Sequence, residues 1–237
     1  MTFTLQFRLF IYLVLGFIAA TVIGTVTHEC GHIAVAKMLG YKTKLHYASM
    51  NTLEREKDKE FEQFYEDNKE KILSPSPLYA EEKAAFNEYM HEEQSRSMLI
   101  FTGGPIQTML TGTIGFLLLW FNRKNIGNKL TLPQWIFVLL TFFWSRQIFN
   151  MLTGTVLYFK RGKWVITGDE AILSYHYNLP TETINAVTAI IATVILLITV
   201  FKLIPKQQRL TFITAGIIGS TIGALFWLKY FGPVILP

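Results

Sequence analysis

The chain has 237 residues, of which 51% are apolar and only 16% charged, with a formal net charge of +5. At a mean hydropathy of +0.31, that composition fits a disordered chain and an ordinary soluble globule poorly and makes a membrane protein the first class to consider. The length suits one compact unit better than several, and the single Cys30 excludes an internal disulfide framework or a cysteine-rich zinc module.

In chain order, the first element is an uncharged run over residues 9–26, enough for a hydrocarbon layer of ~30 Å, which takes ~17–25 helical residues. Arg8 before it loosely fits a secretory signal, but the run is too long for a signal core and continues in apolar residues 33–39 to a helix stop at Gly40. Between residues 42 and 47 polar and apolar side chains alternate, which predicts a short strand with 163–167 as its expected partner. Residues 51–97 then form the one hydrophilic block, with 13 acidic and 7 basic side chains.

Within that block Phe61, Phe64, Tyr65, Asn68 and Ile72 keep helical spacing, and Asn51 with Glu54 fits a capping box. The Ser74-Pro75-Ser76-Pro77 stretch breaks the helix. Ser76 suits the cap of a second helix, Pro77 its first position, and Glu81 and Glu82 its positive dipole end. The block reads as a helical hairpin inserted between the first and second spans, either a solvated connection or a cap over a neighbouring site. Further uncharged runs cover 98–121, 184–201 and 210–228, whereas 133–159 reads as a span carrying Arg146, Gln147 and Asn150 inside it.

The expected fold is an all-α polytopic membrane protein: one membrane-embedded domain over residues 1–237, about five transmembrane helices, and a small extended segment. Loop charges do not orient it, since seven Lys or Arg fall on each side.

At the end of the first span stands His28-Glu29-Cys30-Gly31-His32, an H-E-x-x-H pattern. At ~100° per residue the two imidazoles lie about 40° apart on one helix face, one turn apart, and can bind a single metal. Glu29 sits about 60° further round, placed to act as general base on a water rather than as a ligand. Cys30 points to the opposite face, and Gly31 leaves room for a close neighbour. A charged Glu between two histidines at a span end is costly without a functional reason.

A catalytic zinc site needs a third protein ligand. The acids outside the hydrophilic block are Glu29, Asp169, Glu170 and Glu182, and the other histidines are His46, His91 and His176. Asp169 and Glu170 stand out, because they follow the polar third span where the chain returns to the side of His32, and Gly168 permits a tight approach. Otherwise they simply open a surface helix as N-terminal acids, with His176 as the reserve ligand. Arg146, one turn before Asn150, is an intramembrane charge suited to a substrate carbonyl, to neutralising Asp169 or Glu29, or to the headgroups.

These residues give the chain a resemblance to the site-2 protease family of intramembrane zinc metalloproteases. His28, Glu29 and His32 match its zinc and base motif, Gly103-Gly104-Pro105 its Gly-Pro element, and Asn150 with Asp169 resembles its Asn and Asp. The resemblance implies Zn2+ on His28, His32 and Asp169, water activation by Glu29, and substrate or oxyanion binding by Asn150, with Gly103, Gly104 and Pro105 at the substrate; Arg146 is expected at the substrate through its intramembrane charge. It also implies peptide-bond hydrolysis in or next to transmembrane segments, an edge strand that extends the substrate, and a site facing the cytosol. The expected partners are a membrane protein substrate and the lipid bilayer, with no nucleic acid; the oligomeric state is not legible.

The sequence departs from the family pattern in that 19 positions separate Asn150 from Asp169, Glu170 stands where a Gly is usual, and no Asn follows Gly103-Gly104-Pro105. Glu170 therefore stays open as third ligand. A catalytically silent zinc-binding relative, or a transporter or metal-handling protein using the same residues, stays open as an alternative function.

Overall fold

The computed structural model describes residues 5–237. Helix α1 (Phe7–Met38) is followed by strands β1 (Lys42–Leu45) and β2 (Met50–Leu53), then α2 (Glu56–Leu73) and α3 (Ala80–Phe121). Helix α4 (Leu132–Thr141) leads through a 3-10 turn at Phe142–Trp144 into α5 (Ser145–Arg161). There follow α6 (Asp169–His176), α7 (Thr183–Ile198), α8 (Lys206–Leu225) and the short α9 (Gly232–Ile235).

Five helical stretches, Phe7–Met38, Pro77–Phe121, Leu132–Arg161, Thr183–Leu203 and Lys206–Ile235, are long and apolar enough to cross a bilayer. The chain is thus an all-α, multi-pass membrane protein, with one two-stranded sheet among the described residues. The first stretch runs unbroken past the H-E-x-x-H pattern and stops at Gly40, whose φ of +86° suits a residue without a Cβ. Leu39 and Gly40 close the helix end through N–H bonds to Val35 and Lys37 carbonyls.

Two expectations are corrected. Strand β1 pairs antiparallel with β2, Lys42 opposite Leu53, and residues 163–167 form no strand. A short turn closes the local pair at far lower loop entropy than a partner more than a hundred residues away. Because Asn51 belongs to β2, it cannot cap a helix. Instead α2 starts at Glu56, and the Asp58 carboxylate accepts from the Arg55 N–H at 2.7 Å. The expected third span is present as one helical stretch, Leu132–Arg161, in which Phe142–Trp144 tightens to a 3-10 turn where buried Trp144 wedges against Gly112.

Helix α2 folds back on the first half of α3, Phe61 stacking on Tyr89 with ring centroids 3.6 Å apart. Ser76 accepts from the Leu78 N–H ahead of α3, in keeping with its expected capping role. Arg55 and Tyr41 both bond Glu93, and Arg96 donates to the Leu39 carbonyl, so the hydrophilic hairpin is tied to the end of α1. Within the bundle Phe17 of α1 packs against Phe142 and against Phe212 of α8, beside Leu119, Trp135 and Val138. Small residues let α1 approach its neighbours: a Cβ on Gly219 would lie 2.7 Å from the Val14 carbonyl oxygen.

Candidate metal centre

One pair of glycines decides how closely α1 and α3 approach. Gly31 and Gly103 pack backbone to backbone; a Cβ on Gly103 would lie 2.8 Å from the Gly31 carbonyl carbon and 3.0 Å from His32 Cα. Gly104 then faces the imidazoles, its absent Cβ leaving the space that His28 Nε2 and Cε1 occupy. Pro105 follows, buried, within an uninterrupted α3. Gly103, Gly104 and Pro105, expected at the substrate, are thus buried in the helix seam and seat the two histidines.

That close approach puts hydrogen-bond partners behind both rings. His28 Nδ1 lies 2.9 Å from Thr108 Oγ1, and His32 Nδ1 lies 2.7 Å from the Ile100 carbonyl oxygen. The carbonyl only accepts, so His32 Nδ1 carries the proton and its Nε2 presents a lone pair. In that tautomer the 3.2 Å contact of the Gly104 N–H with His32 Nδ1 is a close approach and not a hydrogen bond. With Thr108 accepting, His28 takes the same tautomer.

Both Nε2 lone pairs point at Asp169. His28 Nε2 is 2.9 Å and His32 Nε2 3.4 Å from Asp169 Oδ2, and the two Nε2 atoms are 3.2 Å apart. Asp169 arrives there because Gly168, at φ +79°, turns the chain sharply into the first turn of α6. His28, His32 and Asp169 can therefore hold a metal ion. Three lone-pair donors facing one another offer a seat for a cation between them. A tetrahedral site with ligand bonds of ~2.0–2.1 Å has ligand-to-ligand edges of ~3.3–3.4 Å, close to the three separations.

Comparison with known proteins brings no match, whether to a family model, a curated protein or a solved structure.

The other candidates divide. Glu29 is 7% exposed beside the His pair, with 1% for His28 and 6% for His32, and makes no hydrogen bond with any described residue. Arg146 Nη2 lies 3.0 Å from His28 Nε2, and its buried Nε has no partner among the described residues; it reaches the centre rather than the headgroups. Asn150, one turn further along α5, donates to Glu170 Oε2 at 3.1 Å. Glu170 is 1% exposed, stands outside the ligand group, and is pushed up by burial. His176 ends α6 against Tyr177 and is likewise outside the group. Neither reserve ligand joins the centre, and Asn150 is committed to Glu170. Cys30 is exposed on the opposite face. Thr108 and the Ile100 carbonyl escaped the sequence reading; the i, i+4 spacing of Gly104 and Thr108 was the available signal.

Proposed function

We propose that the chain is an intramembrane zinc metalloprotease that hydrolyses peptide bonds in or next to transmembrane segments of other proteins. The observation that carries this reading is the convergence of His28 Nε2, His32 Nε2 and Asp169 Oδ2 at 2.9–3.4 Å, with both imidazoles oriented from behind. Two histidines and one carboxylate leave a fourth position open, as catalytic zinc sites do. Zinc, when bound there, supplies a Lewis acid that polarises a scissile carbonyl and acidifies a water.

The chain's own groups do the rest. Glu29, with unpaired carboxylate oxygens, takes the proton of the attacking water and passes it to the leaving nitrogen. Arg146 donates to the charge that develops on the carbonyl oxygen. It holds that role in place of Asn150, whose amide is engaged by Glu170. The substrate is a membrane-embedded chain because His28 lies about 30 Å along α1 from Phe7 at ~1.5 Å per residue, near the far boundary of a hydrocarbon layer. The β1–β2 hairpin, a few residues beyond His32, offers a strand edge to an unwound substrate. By resemblance to site-2 proteases we place the site on the cytosolic side.

Elemental analysis of detergent-purified protein should find about one zinc per chain, lost in His32→Ala and Asp169→Ala. Glu29→Gln should keep the zinc and abolish cleavage of a reconstituted transmembrane substrate, and Arg146→Gln should keep it and lower kcat by ~10²–10³. A folded wild type without zinc, or full cleavage by Glu29→Gln, overturns the reading.

A further inference from the structure

At the membrane boundary opposite the metal centre, about 24 Å along α3 from Gly104 at ~1.5 Å per residue, the ends of α3 and α7 border an open cavity of about 330 Å³. It is lined by Trp120, Arg123, Ile126, Lys202 and Leu203. Arg123 is held in place: its guanidinium lies 4.5 Å from the Trp120 ring centroid, and its Nη1 donates to the Trp120 carbonyl at 2.8 Å. Its Nη2 and Nε make no hydrogen bond with any described residue, and neither does Lys202. Lys202 projects from a π-helical turn, Thr199–Leu203, beside the buried Leu203.

The surrounding face carries charge of one sign. Residues 122–131 and 199–209 contain Arg123, Lys124, Lys129, Lys202, Lys206 and Arg209 and no Asp or Glu, so these cations find no carboxylate within their own loops. Arg209 is satisfied by the Phe201 and Ile204 carbonyls; Arg123 and Lys202 keep their charges for the cavity.

We infer that this cavity binds the phosphate of an anionic lipid headgroup, with Arg123 and Lys202 as its two cations. Lipid is the source because the cavity opens at the end of the spans, with an indole at interface level. Leu117, Leu118 and Phe121 of α3 and Phe201 beside Lys202 are exposed along the same boundary and offer a path for acyl chains. The two carbonyl helix ends contribute roughly half a negative charge each. One cation would only cancel them, and both are required before the cavity attracts an anion.

The test uses the detergent-purified full chain in native mass spectrometry with phosphatidylglycerol or phosphatidylcholine added. Phosphatidylglycerol should be retained preferentially, and Arg123→Ala or Lys202→Ala should each lower that preference roughly fivefold. Lys129→Ala, the same charge change on this face outside the cavity, should leave it intact. Equal retention of the two lipids overturns the proposal, and so does a loss in Lys129→Ala matching that in Lys202→Ala, which would mean diffuse surface charge. Displacement of the lipid by millimolar inorganic phosphate would assign the cavity to a free anion and overturn it as well.

Discussion

Gly104→Ala adds one methyl group at the place where it presses hardest on the metal ligands. The new Cβ would press most closely on His32 Nε2 and lie 2.5 Å from His28 Nε2 and 2.6 Å from His28 Cε1, against 3.4–4 Å for ordinary contact, so both rings must retreat by about 1 Å. That movement is half the length of a ~2.0–2.1 Å coordination bond, and it also strains the bond to Thr108. Disturbing the groups that orient a ligand typically costs ~10–100-fold in metal affinity, or about 1.4–2.7 kcal/mol. The assay is zinc competition against a chelator of known affinity, with helical content monitored by circular dichroism. Gly127→Ala serves as control, since nothing lies within 4 Å of its added Cβ. A Gly104→Ala protein that binds zinc as tightly as wild type would refute the placement of the imidazoles against α3.

Thr108→Val should lower zinc affinity about tenfold by removing the acceptor for the His28 Nδ1 proton, and Thr108→Ser should restore it. Asn150→Ala should cost about 1–3 kcal/mol of stability, because buried Glu170 loses the donor to its Oε2, while zinc content stays unchanged; a shift of zinc content instead would return Asn150 to the centre. The Arg55 side chain holds the Asp58 carboxyl down at about 2. A carboxyl depressed in the folded state contributes stability above its unfolded value of ~3.9 and loses it as pH falls toward the folded one. Hydrogen exchange in α2 should therefore speed up relative to α8 between pH about 4 and 2, and unchanged exchange there would show that this ion pair does not anchor the hairpin.

The bundle was legible because uncharged runs have one stable solution in a bilayer, and His28 and His32 were legible because helical spacing alone puts them on one face. What escaped depends on directions set by tertiary contacts. Asp169 and Glu170 are neighbours of the same chemistry, and only the turn at Gly168 sends one to the histidines and the other to Asn150. Arg146 and Asn150 share a helix face yet serve different partners, which one-dimensional spacing does not distinguish. Gly103 and Gly104 lie buried in the seam beside the imidazoles, and room for an imidazole and room for a substrate look alike in sequence. Strand β1 was recognised by its alternation, but its partner was decided by the short turn at 46–49.

The donors of the metal centre are far apart in sequence: His28 and Asp169 are 141 positions apart. At synthesis rates of ~5–20 residues per second, the histidine pair waits roughly 7–28 s for its third partner. During that interval the nascent first helix is inserted with two imidazoles and a carboxylate exposed to whatever surrounds it. Closing the donor set ties the oldest helix to a much younger one while α7 and α8 are still to be made, so α1 finds its partner Phe212 only after the three donors can meet.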